Sequence, residues 1–240
     1  MLKSVAATVL FFVASLPLLY SNEIEEYQDS LDRYFDTVFF HSSLFYLPPD
    51  DYTISESDYA QVAEELGVET AAIRAVVEIE TGKNHSGFYS KSHPVINFDR
   101  SLFSRNVKKS GISVPSATYS RIMADAGGKS HEERNSTRFS LAAEVDETLA
   151  VESTFWGMFQ IGGFNWRRCG ATSVKQFEYL MSRSERDQLE LFAHFLVSTD
   201  LVKYLKTKNW AAFARHYNGP KYRARGYHTR LAAAYKKFSK

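Results

Sequence analysis

One carboxyl stands where the pattern of its neighbours asks for an apolar side chain. In Ala71–Gly82, AAIRAVVEIETG, the residues Ile73, Val76 and Val77 recur at helical spacing, so they share one helix face. Glu80 is the next position on that face. Held at the edge of a core, its carboxyl would lose solvation, its pKa would rise, and it would stay protonated near neutral pH. A protonated Glu against apolar surroundings is what a general acid for glycoside cleavage needs. A helix-end Glu reaching out to water is the competing reading, and periodicity alone does not separate them. Glu78 falls on another face, four residues after Arg74, and reads as half of an exposed ion pair.

Two further stretches could complete a site. Ser153–Gly163, STFWGMFQIGG, puts a small residue, Gly157, beside a turn, then apolar side chains, then Gln160. The Gln160 amide could hydrogen-bond a sugar hydroxyl or acetamido group. Trp156, Phe159 and Ile161 read equally as the core of a buried helix start; Trp156 is also carried as a candidate substrate-binding residue. In Trp210–Pro220, WAAFARHYNGP, the residues Trp210, Phe213, Ala214 and Tyr217 repeat at helical spacing. That predicts a core helix closed by an Asn218-Gly219-Pro220 turn, with the Tyr217 phenol either in the core or projecting into a cleft.

The elements that must position these residues are mostly helical. Ser55 or Ser57 can cap a helix through Leu66, with Gly67 as its stop. His93–Phe103 looks like a short strand leading into a turn, and Asn106–Gly128 like a loop with a short helix around Tyr119–Ala124. His131-Glu132 reads as loop surface. Helical spacing returns at Phe139–Leu149, Val174–Met181, Glu185–Val197, Asn209–Tyr217 and Tyr227–Phe238. The expected class is α+β, predominantly α-helical with a small strand element, preceded by an N-terminal hydrophobic helix.

Other chemistries find little support. The seven histidines show no HExxH or paired ligand spacing, and the lone Cys169 makes a zinc site improbable. Phosphate-binding loops and a nucleophile elbow are missing. Cys169, between Arg168 and Gly170, reads as packing in preference to an activated nucleophile. No cofactor and no metal are expected.

Charge and hydropathy divide the chain. Residues 1–21 open with Lys3 and continue apolar, as a signal peptide or signal anchor does, with a poor cleavage site. Residues 22–53 form an acidic linker or accessory helix, ending at Pro48-Pro49-Asp50-Asp51. The main domain is 54–240. Residues 22–58 carry ten acidic side chains and one basic; residues 59–240 carry 18 acidic and 27 basic. A basic body favours an anionic partner such as nucleic acid, a membrane surface or a bacterial wall.

In their order and spacing, Glu80-Thr81, Gly157-Met158-Phe159-Gln160-Ile161 and Tyr217-Asn218-Gly219-Pro220 resemble the lysozyme-like superfamily. The closer resemblance is to the N-acetylmuramidase family of phage endolysins and bacterial cell-wall lytic proteins. It runs from about Asp58 to Tyr235 through LGVETAAIRAVVEIETG, PVINFDRSLFSR, ESTFWGMFQIGGFNWRRCG, SERDQLELFAHF and WAAFARHYNGPKY. Thr81 stands where Ser is usual, Gly162-Gly163 where Met-Gly is usual, and Asp99 where Glu is usual.

The resemblance implies a lysozyme-like fold and hydrolysis of the β-1,4 bond between N-acetylmuramic acid and N-acetylglucosamine. Glu80 would be the general acid; Gln160, Tyr217, Asn218 and Trp156 would bind substrate. Asp99 is the first candidate for a second carboxylate that activates water, with Glu152 and Asp146 behind it, provided it stands roughly 6.5–9.5 Å from Glu80. Asp99 beside Arg100 reads equally as a structural turn or ion-pair residue. The implied partner is the peptidoglycan glycan strand, not nucleic acid. Membrane contact is expected only through the N-terminal segment, the location is secreted or periplasmic, and an inhibitor protein is compatible with all of this. Two alternatives stay open: a lytic transglycosylase making anhydromuramic ends, and a non-catalytic wall-binding protein.

Overall fold

The computed structural model describes residues 52–81, 86–124 and 130–240. The predicted signal or anchor at 1–21, its hydrophobic helix, nearly all of the acidic 22–53 segment, and the Gly82 helix stop lie outside the described residues. No described helix is long and apolar enough to cross a membrane.

The first described helix, α1 (Glu56–Leu66), starts on a reciprocal cap. The Asp58 amide donates to Ser55 Oγ, and the Ser55 amide donates to the Asp58 carboxylate at 2.7 Å. Gly67 ends it with φ +61°. The next helix, α2 (Thr70–Glu80), buries Ala71, Ala72, Ile73, Ala75, Val76 and Val77. This is the face the apolar spacing predicts, with Glu80 at its end. The last helix, Tyr227–Phe238, packs along α2. The predicted Arg74–Glu78 pair is not made. Arg74 reaches Glu56 at 3.0 Å, and Glu78 accepts from Lys237 at 2.6 Å. Both charges serve contacts between helices in place of one turn of their own helix.

Among the described residues, five short strands follow. β1 (Phe88–Ser90) pairs antiparallel with β2 (His93–Pro94). A second sheet has the order β3 (Ile96–Phe98), β4 (Thr154–Trp156), β5 (Ile161–Gly162), all antiparallel. Residues 157–160 are therefore a hairpin turn, as the reading of Gly157 beside a turn expects, and the competing buried helix start does not form. The first and last residues of β3 and β4 are buried and their middle residues are less so, as strands place them.

The chain between β3 and β4 is more helical than its sequence predicts. Arg100–Ser110 is a helix where the strand and loop readings meet, Ser116–Met123 follows, and His131–Ala143 and Glu147–Glu152 are two helices in place of one over Phe139–Leu149. His131 opens a helix; it is not loop surface. These elements close over Phe98, Phe103, Ile122, Leu141, Leu149 and Ala150. Beyond them come Val174–Met181, α3 (Glu185–Ser198), a short unpredicted helix Val202–Lys206, and α4 (Trp210–Tyr217). The class is α+β and mostly helical, as predicted.

Candidate active site

Two elements meet at Glu80, and a third is tied to them through Tyr217. Its carboxyl ends α2, part-buried, because the apolar face that precedes it continues into the core. Asn218, directly after α4, donates its amide Nδ2–H to both carboxylate oxygens, at 3.0 Å and 3.3 Å. Tyr217 donates its phenol to the Phe159 carbonyl at 3.2 Å, in the hairpin turn. The dipeptide Tyr217-Asn218 thus braces both the helix that carries the acid and the turn that carries Gln160. Aromatic packing fixes the brace: Phe159 stacks on Phe192 at 4.2 Å, and Tyr217 meets Phe192 edge-on and stacks with Phe213. Such ring pairs contribute about 0.5–1.5 kcal/mol each beyond area burial.

Burial pushes the Glu80 carboxyl up to about 7, against the opposing pull of the Asn218 hydrogen bond and the positive charge of Arg230. The group is therefore poised between acid and base near neutral pH. Burial, reinforced by the nearby Glu80 charge, lifts the Tyr217 phenol well above its ordinary range, so it remains a donor. The Asn218 side-chain oxygen, Oδ1, is buried with no partner among the described residues. An orphaned acceptor of this kind is costly unless a ligand or water satisfies it.

Gln160 sits in the left-handed region at φ +48°, a conformation unusual outside glycine that is concentrated at functional sites. Its Nε2 donates to the Gly157 carbonyl at 2.9 Å, which turns the side-chain oxygen to the role of acceptor. The turn is anchored from below by Gln188, fully buried on α3. Gln188 Oε1 accepts from the Met158 amide at 2.8 Å, and its Nε2 donates to the carbonyls of Met181 and Gly87. A Cβ at Gly157, where φ is +67°, would lie 2.5 Å from Gln188 Oε1. Glycine is required there by both conformation and space. Gln188 was not among the predicted residues, although it shares a helical face with Leu191, Phe192 and Phe195.

The remaining candidates have local tasks. Asp99 is an N-cap: its Oδ1 accepts from the Leu102 amide at 2.8 Å. Asp146 does the same for Leu149 at 2.7 Å. Glu152 accepts from the Trp166 indole at 3.1 Å. No hydrogen bond among the described residues joins any of them to Glu80. Trp156 is 2% exposed, and its indole donates to the Val151 carbonyl. The ring makes edge-to-face contacts with Phe139 and Phe177, so Trp156, a candidate substrate-binding residue, is placed in the core. It also borders a separate cavity of about 170 Å³, shared with Tyr89, His93, Phe139 and Glu178. Cys169 is fully buried and its thiol is raised by desolvation, which fits packing. Among the described residues, no three His, Cys, Asp or Glu side chains come together as a metal site would need.

Comparison with known proteins follows the same lines. A family profile described as N-acetylmuramidase matches residues 69–239. A crystal structure of the Burkholderia AP3 phage endolysin is similar to this chain with a TM-score of 0.69 and 32% sequence identity, over 80% of this chain and 73% of that one. No curated protein sequence matches.

Proposed function

Because the chain belongs to the N-acetylmuramidase family, we propose that it is a peptidoglycan hydrolase that cleaves the β-1,4 bond between N-acetylmuramic acid and N-acetylglucosamine. Glu80 is the general acid. The observation that carries this reading is the part-buried Glu80 carboxyl, raised to about 7 and held by the Asn218 amide. The similar Burkholderia phage endolysin supports a wall substrate.

The acid form of Glu80 gives its proton to the glycosidic oxygen as the bond breaks and positive charge develops at the anomeric carbon. The Asn218 N–H and the Arg230 charge both favour the carboxylate that remains. They are thus stabilising where charge appears along the reaction. Gln160 Oε1 and Asn218 Oδ1, which has no partner among the described residues, are the proposed acceptors for the hydroxyl and acetamido N–H groups of the sugar. Asp99, whose cap bond uses Oδ1, is the proposed base for an attacking water. The substrate sets the place of action, in the wall outside the cytoplasmic membrane, and residues 1–21 are the proposed export segment.

A second reading has its own support. Asp99, Asp146 and Glu152 each accept a local hydrogen bond, which favours attack by the muramic 6-hydroxyl in place of activated water. That is the transglycosylase outcome on the same Glu80. Mass spectrometry of fragments released from purified peptidoglycan by the full chain separates the cases. Reducing muramic ends, lost in Glu80→Gln, are expected. Anhydromuramic ends would move the protein to the second reading, and fragments undiminished by Glu80→Gln would remove Glu80 from the chemistry.

A further inference from the structure

The last forty residues, 201–240, contain eleven Lys and Arg side chains and no Asp or Glu. Three of those bases are matched by carboxylates from elsewhere: Lys203 by Asp200, Lys208 by Glu69 and Lys237 by Glu78. The bases that follow Asn218 in the sequence are different. Lys221, Arg223, Arg225 and Arg230 are all exposed, and none forms an ion pair with a carboxylate among the described residues. They begin three residues after Asn218, the residue bonded to Glu80. The segment turns through a short 3-10 helix, Pro220–Tyr222, before the last helix starts at Tyr227. Arg223 donates to the Tyr222 hydroxyl at 2.9 Å, and the Arg230 guanidinium lies 5.5 Å from the centre of the Tyr227 ring. Two of the four cations are therefore steadied by aromatic side chains and not by anions. Arg230 is close enough for its charge to act on the Glu80 carboxyl.

A glycan strand offers a ligand of matching charge. Muramic acid differs from N-acetylglucosamine by a 3-O-lactyl group, whose carboxylate is either free or extended by a peptide that itself ends in carboxylates. A strand lying past Glu80 would carry such a group at every second sugar. We propose that Lys221, Arg223, Arg225 and Arg230 form an anion-binding rim beside the cleft that takes the carboxylates borne by muramic acid residues of the substrate. The inference rests on the muramidase reading and adds to it the groups on this chain that distinguish muramic acid from the neutral sugar. Guanidinium suits a carboxylate through two parallel hydrogen bonds. Four exposed cations with no ion-pair partner among the described residues also raise the local concentration of an anionic polymer, and that attraction is screened by salt.

The test is binding, kept separate from cleavage. Full-length chain carrying Glu80→Gln, which leaves the wall intact, is sedimented with purified sacculi stripped of phosphate-bearing polymers. The same sacculi with carboxylates amidated by carbodiimide and ammonia form the second arm, and unstripped sacculi the third. With Lys221, Arg223, Arg225 and Arg230 all changed to Gln, affinity for untreated stripped sacculi should fall about ten-fold at low salt, and the difference should nearly vanish at about 0.5 M salt. Amidation should weaken the parent equally and leave the Gln variant unmoved. Changing the three arginines to Lys should restore most of the binding, which excludes misfolding as the cause. The proposal is overturned if the Gln variant binds untreated sacculi as the parent does, or if amidation leaves the parent's binding unchanged. It is also overturned if the loss appears only on sacculi that keep their phosphate polymers, which would make phosphate the ligand. Failure of the muramidase reading is a different result: no soluble fragments from the unmodified chain, whatever it binds.

Discussion

Replacing Glu80 by Gln should make the protein more stable above neutral pH while removing its activity. The folded-state carboxyl titrates at about 7, against 4.5 when solvated. Between those values the folded chain holds a proton that the unfolded chain has released, so stability falls as pH rises through the window and levels off above it. At about 1.4 kcal/mol per unit, the full penalty is about 3 kcal/mol above pH 7. Gln keeps the shape and can accept from the Asn218 amide, but carries no charge to desolvate. Reversible thermal or urea unfolding of both proteins at pH 4, 6 and 8 measures the difference. The two should unfold nearly alike at pH 4. At pH 8 the variant should lead by up to about 3 kcal/mol, or roughly 6–12 °C in Tm for a chain of this size. Hydrolysis should drop about 10²–10⁴-fold at every pH. A gap that does not change with pH, or a variant less stable at pH 8, would refute the claim that burial is what raises this carboxyl.

Other perturbations have definite signs. Arg230→Gln removes a charge that favours the Glu80 carboxylate, so the pKa rises further and the alkaline limb of the pH–rate profile should move to higher pH. Asp99→Asn keeps an N-cap, so melting should hardly change, while rate should fall at least about 100-fold if Asp99 activates water; an unaltered rate assigns it to capping alone. Gly157→Ala should cost about 1–3 kcal/mol by denaturant titration and reduce activity, since the added Cβ meets Gln188 in a backbone conformation that disfavours it. Gln188→Leu fills similar space but strands the Met158 amide and two carbonyls, and should cost at least about 2 kcal/mol in the same assay.

Much of the acid's setting can be read from residue order. The 3.6-residue repeat of Ile73, Val76 and Val77 runs directly into Glu80, and the helix buries that face. Ser55 and Gly67 bracket their helix because caps are local chemistry. The Arg100–Ser110 helix escaped because it buries only Phe103 and so carries no apolar stripe; its signals were the Asp99 cap and Gly111, at either end. In the hairpin at 154–162 the turn is legible at Gly157, but its flanking strands are not, because two- and three-residue strands are too short to display a period of two in the sequence. Gln188 obeys the same rule that identified Glu80, a polar residue on an apolar helical face, applied to a position where its partners are backbone groups. Glu78 and Lys237 meet across 159 residues, a pairing that no local spacing encodes.

The hydrogen bond from Asn218 to Glu80 spans 138 residues, and this has a consequence for the order in which the protein comes into being. Synthesis delivers the acid early and its brace late, and contacts of such long sequence separation close slowly because the intervening chain must first be ordered. A nascent or clipped chain ending before Tyr217 would hold the carboxyl without the Asn218 donor, and the hairpin turn without the Tyr217 phenol. The Glu80–Asn218 hydrogen bond therefore forms only once both ends of this long span are present and folded together.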